Sequence, residues 1–241
     1  MATVSEIAPD IYRICAYHKA GNFQFSSFLV KDDEPLLYHT NLSGFFDEVR
    51  SAAARLIDPA KLRWVGFSHF EADECGALND WLALAPRAEP VCSFVGARTS
   101  IGDFAARPPR VLGLDDRIDT GRHHFRVLET KHVPHGWDAS LLFDETTRTL
   151  FCSDLFGHNG EVEPVITGDI VGRCDAYVTK QQEGPMSQSV PFTRHTNRIL
   201  ASLAALNPQT LACMHGSSFS GDGAGALRDL AALFERLDAQ S

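Results

Sequence analysis

The fold class that the sequence predicts is a layered α/β sandwich. Short apolar runs of strand length recur through most of the chain, and amphipathic stretches of helical period fall between groups of them. The 241 residues are 44% hydrophobic and 22% charged, enough to close a substantial core, and they predict a single domain over 1–241.

The elements follow in order. Strands are predicted at "DIYRICAY" (10–17), "FQFSSFLVK" (23–31) and, after the turn-forming "DDEP", at "PLLYHT" (35–40). "LSGFFDEVRSAAARLI" is a helix, with Ser43 as cap, Asp47 and Glu48 in its first turn, and Phe46, Val49, Ala53 and Leu56 at spacings of three and four. "LRWVGFS" is a strand and "GALNDWLALAP" a short helix closed by Pro86. Further strands are expected at "EPVCSF", "RVLGL", "HFRVLETK", "ASLLFDE" and "TLFCSDLF", with "DETTRT" turning a hairpin. Residues 158–192 have weak periodicity and read as a long surface segment or a partner-binding excursion. The chain then gives a helix to Pro208, the strand "TLACMHG", and a last helix with Leu227, Leu230, Ala231, Phe234 and Leu237 on one face.

Composition narrows the function classes. Thirty-one acidic against 22 basic residues give a formal charge of -9. No Lys/Arg cluster is present, which argues against nucleic acid. No run approaches the ~20 apolar residues of a membrane span, and the opening "MATVSEIAPDIYRI" lacks a secretory pattern; a cytoplasmic protein is the expectation. Cysteines 15, 75, 92, 152, 174 and 213 form no CxxC pair, against a zinc knuckle or disulfide framework. Cys92, Cys152 and Cys213, each inside an apolar run, read as small buried hydrophobes. There is no P-loop or dinucleotide fingerprint.

The strongest feature lies at strand ends. Four predicted strands run into residues that can bind metal: "WVGFS" into His69, "FRVLETKHVP" into His135, "TLFCS" into Asp154 and "TLACM" into His215. A lone histidine before a loop is ordinarily a surface residue, and "ExDE" ordinarily a solvated acidic turn; four such coincidences at four strand ends are not ordinary. Rigid strands fix side chains there while loops leave room for a ligand. In an extended segment residues i and i+2 point the same way, so His69, Glu71 and Asp73 converge, with Glu74 beside them. These candidates are too many for one ion, and two ions account for them better. Asp154 can lie between two cations, and a sulfur-free set of imidazoles and carboxylates suits non-haem iron or manganese.

On these residues the sequence resembles the metallo-β-lactamase fold, and within it the di-iron branch of flavodiiron proteins and stand-alone oxygen-binding di-iron proteins. Hydrolases of that superfamily carry H-x-H-x-D-H, whereas "HFEADE" has the H-x-E-x-D form of the di-iron branch. "HGWDASLLF", "LFCSDLFG" and "MHG" match the later ligand segments, with separations of 66, 19 and 61 residues between His69, His135, Asp154 and His215. The resemblance covers nearly the whole chain and implies an αββα sandwich. It also implies two iron ions: His69, Glu71 and His135 on one, Asp73 and His215 on the other, Asp154 between them. Glu74 stands where the family usually has histidine, leaving open whether it ligates the second iron. The FMN-binding flavodoxin-like domain of flavodiiron proteins has no counterpart in these 241 residues. Around the site, His158 is a candidate to line the pocket, Asp138 to hold a ligating imidazole, and Trp137 and Phe70 to wall the site against water. His132 is expected in a supporting or surface role, and His18, His39, His123, His124 and His195 in structural ones.

The function this implies is an O2- or NO-binding di-iron protein, either a sensor or carrier that signals to another protein, or an oxidoreductase with an external electron donor, as a homodimer. The alternatives are a dinuclear zinc hydrolase, against which Glu71 counts, and a metal-free interaction module.

Overall fold

The structure, a computed structural model, describes residues 1–113 and 116–240. Among them two seven-stranded sheets pack face to face. The first begins as an antiparallel meander of β1 (Thr3–Ala8), β2 (Ile11–His18), β3 (Phe23–Val30) and β4 (Leu36–Tyr38). It continues in parallel through β5 (Trp64–Gly66), β6 (Glu89–Ser93) and β7 (Arg110–Leu112). Parallel neighbours need crossovers, and helices supply them. α1 (Phe46–Ala53) precedes β5; α2 (Ala72–Cys75) and α3 (Leu78–Leu84) precede β6. A helical stretch of α4 (Phe94–Gly96), the π-turn Ala97–Ile101 and α5 (Gly102–Phe104) precedes β7.

The second sheet mirrors that plan. β8 (Arg117–Asp119), β9 (His124–Glu129), β10 (Ser140–Asp144) and β11 (Thr149–Ser153) form an antiparallel meander. β13 (Thr210–Cys213) joins β11 in parallel, followed outward by β14 (Ser218–Ser220) and β12 (Val165–Ile166). Its outer face is covered by α6 (Ile170–Gln181), α7 (Thr196–Ala205) and α8 (Gly223–Asp238).

Alternation along the strands divides the core into three layers. Phe28, Val30, Leu36 and Tyr38 point between the sheets to meet Phe125, Leu142 and Phe151. Leu29 and Leu37 point outward to Val49, Leu78 and Trp81. Leu141, Phe143 and Leu150 face Leu200, Leu227 and Phe234. Both faces of each sheet are buried, so the central strands read as unbroken apolar runs. The order is helix, sheet, sheet, helix: the predicted αββα sandwich.

Asp32, after β3, ties the two sheets at one end. Its carboxylate accepts from Thr120 Oγ1 at 2.8 Å and from the backbone N–H groups of Arg122 and His123 at 2.7 and 3.0 Å.

Several elements differ from expectation. β1 and β8 are unpredicted strands in which Ile7 and Ile118 are the buried hydrophobics, too few to mark a period. Segment 158–192 is neither loop nor excursion throughout. It contains β12 and α6, whose Ile170, Cys174 and Val178 recur every four residues on the buried face behind an Asp169 cap. Ser43 makes no capping bond and instead opens a 3-10 turn, Ser43–Phe45, before α1. Of "RVLGL", Leu114 lies outside the described residues. All six cysteines are buried and free, and no helix among the described residues is long and apolar enough to cross a membrane.

Candidate metal centre

Within each sheet, the strands that lead into the candidate residues run the same way. β5 leads through Phe67 and Ser68 to His69, β11 directly to Asp154, β13 through Met214 to His215, and β9 into the 130–139 loop that holds His135. The strands stop one to six residues before these side chains, so short turns aim them. Glu71 is extended, with φ -135° and ψ 163°, and precedes α2. Asp73 and Glu74 lie in the α2 turn, so the expected i, i+2 alternation holds from His69 to Glu71 and fails at Asp73. Gly216 follows His215 at φ +81°, and a Cβ there would stand 2.5 Å from the His158 ring.

All seven residues singled out from the sequence come together in overlapping donor groups: His69, His135 and Asp154; His69, Glu71 and Glu74; Asp73, Glu74 and His215. Asp154 turns one oxygen to each half. Its Oδ2 lies 3.2 Å from His135 Nε2 and 3.5 Å from His69 Nε2, and its Oδ1 lies 3.1 Å from His215 Nε2. Glu71 Oε1 is 3.2 Å from His135 Nε2, and Asp73 Oδ2 is 3.3 Å from His215 Nε2.

These atoms are close without being satisfied. His69 Nε2, both nitrogens of His135, Asp154 Oδ1 and both oxygens of Glu74 are buried with no hydrogen-bond partner. Groups that approach within 4 Å yet are not aligned on one another are converging on points between them. Around an ion at ~2.1 Å, ligand atoms stand ~3.0 Å apart at right angles and ~3.4 Å apart tetrahedrally, the spacing seen here. The donor set of imidazoles and carboxylates fits two cations.

The electrostatics agree. Burial lowers the His69 pKa, keeping the ring a neutral donor. Burial also opposes charge on Asp154 and His215. On Asp154 the contacts with His215, His69 and His135 outweigh it and drive the carboxyl below the usual carboxylate range; on His215 the contacts with Asp154 and Asp73 outweigh it and drive the ring up to about 10. Glu74 is pushed well up, first by burial and then by Asp154 and Asp73. In the chain without cations, protons carry the positive charge that these carboxylates demand.

Supporting residues orient the donors. His215 Nδ1 donates to the Gln24 carbonyl at 3.0 Å, leaving Nε2 for the centre. Ser68 Oγ contacts His69 Nδ1 at 2.9 Å, Ser153 Oγ at 2.7 Å and His39 Nε2 at 3.2 Å. His39, expected to be merely structural, is fully buried, and burial lowers its pKa to about 3. It closes this chain as a neutral ring; its signal was available, since "PLLYHT" also runs into a histidine. The rings of Phe23 and Phe25 lie 4.3 and 5.3 Å from His215.

Three supporting assignments need correction. Asp138 holds no imidazole: its Oδ2 accepts from the Phe70 N–H at 2.9 Å, fixing the 69–74 loop instead. Trp137 and Phe70 are 60% and 40% exposed and do not seal the site. His158 is buried, accepts from the Ser217 N–H and bonds the Phe156 carbonyl, so it braces the turn after His215. His132 is exposed, as expected of a surface residue.

Two apposed sheets flanked by helices, with donors gathered at the strand ends, define a metallo-β-lactamase-like core. The family described as ODP family beta lactamase matches residues 23–216, most of the chain, and the chain belongs to it. Diflavin flavoprotein A 1 of Synechocystis sp. is 29% identical over 135 residues, 55% of this chain and 23% of that protein. The solved rubredoxin oxygen:oxidoreductase of Desulfovibrio gigas matches at a TM-score of 0.80 and 17% identity, over 96% of this chain and 61% of that one. The flavodiiron protein of Giardia intestinalis gives 0.80 at 16% identity, over 98% and 59%. The chain thus spans about a quarter of the curated relative and three-fifths of the solved chains; the structural matches speak for the fold.

Proposed function

We propose that this chain is a non-haem di-iron protein that binds O2 or NO. The observation that carries the reading is Asp154, which faces His69 and His135 with one oxygen and His215 with the other, amid buried donor atoms lacking any other partner. His69, Glu71 and His135 would hold one iron, Asp73 and His215 the other, with Asp154 shared. Two ferrous ions held there would supply open coordination positions and electrons for a diatomic ligand. The relatives named for oxygen reduction and for a di-iron centre support this choice over zinc.

The chain's own residues do the positioning. Ser68 and the Gln24 carbonyl fix the rings of His69 and His215, so that each presents Nε2. Phe23 and Phe25 pack against the His215 ring and hold it in place. Glu71, half exposed, marks the open side by which a small ligand enters. In the finer reading the chain is one domain, works as a homodimer and either stores or senses the ligand, or reduces it with electrons from a separate donor protein. Iron loading under anaerobic conditions followed by air tests the proposal. A ligand-to-metal charge-transfer band at about two irons per chain is expected. No band with iron below about one per chain defeats the proposal, and two zinc ions with esterase, lactamase or thioesterase turnover would make the chain a hydrolase.

A further inference from the structure

We propose that Glu74 is a second shared carboxylate of this centre, facing both ion positions and setting their charge balance so that the two cations bind as a unit. The inference rests on the di-iron reading above and gives a role to the donor which that reading leaves unassigned.

Glu74 follows Asp73 in the α2 turn and is fully buried. Neither carboxylate oxygen has a hydrogen-bond partner. Ionised and shut off from water, such a carboxylate is among the costliest placements a side chain can have, and a cation held between it and its neighbours offsets that cost. Among the described residues no Lys or Arg is paired with it, and the donor set itself lies around it. Its Oε1 is 3.9 Å from His69 Nε2. It joins His69 and Glu71 in one donor group and Asp73 and His215 in another, with atoms of each group within 4.8 Å. Glu74 therefore looks onto both halves, as Asp154 does, from the α2 side of the centre instead of the β11 side.

Charge gives the placement its consequence. With three neutral imidazoles, Glu71, Asp73, Glu74 and Asp154 carry four negative charges, which two divalent cations neutralise. A neutral side chain at 74 would leave the loaded centre with a net positive charge where Glu71 alone is substantially exposed, and both ions would feel it through a medium that screens poorly. Oxygen donors in this number also favour hard divalent ions such as Fe(II) and Mn(II).

The test compares the full-length wild type with Glu74→Gln and Glu74→Asp, purified anaerobically, stripped of metal and titrated with Mn(II) or Fe(II). Calorimetry gives the stepwise affinities, mass spectrometry of the metal gives stoichiometry, and circular dichroism confirms folding. The wild type is expected to take two ions per chain. In Glu74→Gln both steps should weaken about tenfold or more, and the electron paramagnetic resonance of the half-loaded Mn(II) protein should shift from coupled pairs to isolated ions. Glu74→Asp, which keeps the charge one methylene shorter, should retain two ions with a smaller loss; if the Gln variant fails to fold, unchanged affinities in the Asp variant overturn the proposal. Wild-type affinities in Glu74→Gln, or weakening of a single step, also overturn it, while a wild type that takes up no metal overturns the centre itself.

Discussion

Replacing Gly216 with alanine places a Cβ 2.5 Å from Cε1 and Nε2 of His158 and 2.6 Å from its Cδ2. The ring cannot swing clear. Its Nε2 accepts the Ser217 N–H at 3.0 Å and its Nδ1 donates to the Phe156 carbonyl at 3.0 Å, so moving it breaks two buried hydrogen bonds. Alanine at φ +81° also costs about 1–2 kcal/mol for the left-handed backbone, and overpacking a buried site adds about 1–3 kcal/mol. The expected loss is about 2–5 kcal/mol, which lowers the melting midpoint of a chain this size by roughly 5–15 °C. Thermal unfolding read by circular dichroism measures it. Because Gly216 follows His215, metal uptake should weaken as well. Adding His158→Ala to the alanine variant should recover part of the loss, since it removes the ring that the new methyl strikes. A Gly216→Ala chain that melts within about 2 °C of wild type would refute the reasoning.

Removing the Ser68 hydroxyl leaves His69 Nδ1 only the longer 3.4 Å contact with Ser153 Oγ and breaks the links from Ser68 to Ser153 and His39. Ser68→Ala should therefore cost about 10–100-fold in metal affinity, measured by competition with a chelator, with the fold retained. His135→Ala should lower uptake to one ion per chain or fewer while His132→Ala, at an exposed position, leaves stoichiometry unchanged. Burial resists ionisation of Asp32, but the hydrogen bonds from Thr120, His123, Asp33 and Arg122 bring its pKa down to about 2, against ~3.9 when unfolded. The stability this gives is present above about pH 4 and is lost as pH falls through about 2; allowing for solvent screening it is about 1–2 kcal/mol. Denaturant titrations between pH 5 and 2 should show Asp32→Asn with a shallower acid slope than wild type.

The central strands were legible because both faces of each sheet are buried, so that "SFLV" in β3 and "TLFC" in β11 stand out as apolar runs. Two edge strands were not: β1 and β8 fully bury one hydrophobic each, Ile7 and Ile118, among neighbours that are exposed or half-buried. α6 was hidden because Gly172 and Arg173 dilute its buried four-residue spacing. The seven candidate donors were legible for a different reason: acids and histidines crowd the end of one apolar run and recur after three others. What the sequence could not convey was the second tier of contacts. Ser68, Ser153, Gln24 and His39 belong to different strands or loops, and only pairing between strands places them behind the donors. Asp138 shows the converse, since its nearness to His135 in sequence suggested an imidazole partner, whereas the fold turns it toward the Phe70 amide.

Metal identity and stoichiometry of the chain purified without oxygen or added metal test the central claim most directly. Two iron ions per chain, both lost in Asp154→Ala, are the expected result. Two zinc ions, or a metal-free chain that cannot be loaded with iron, would contradict the account.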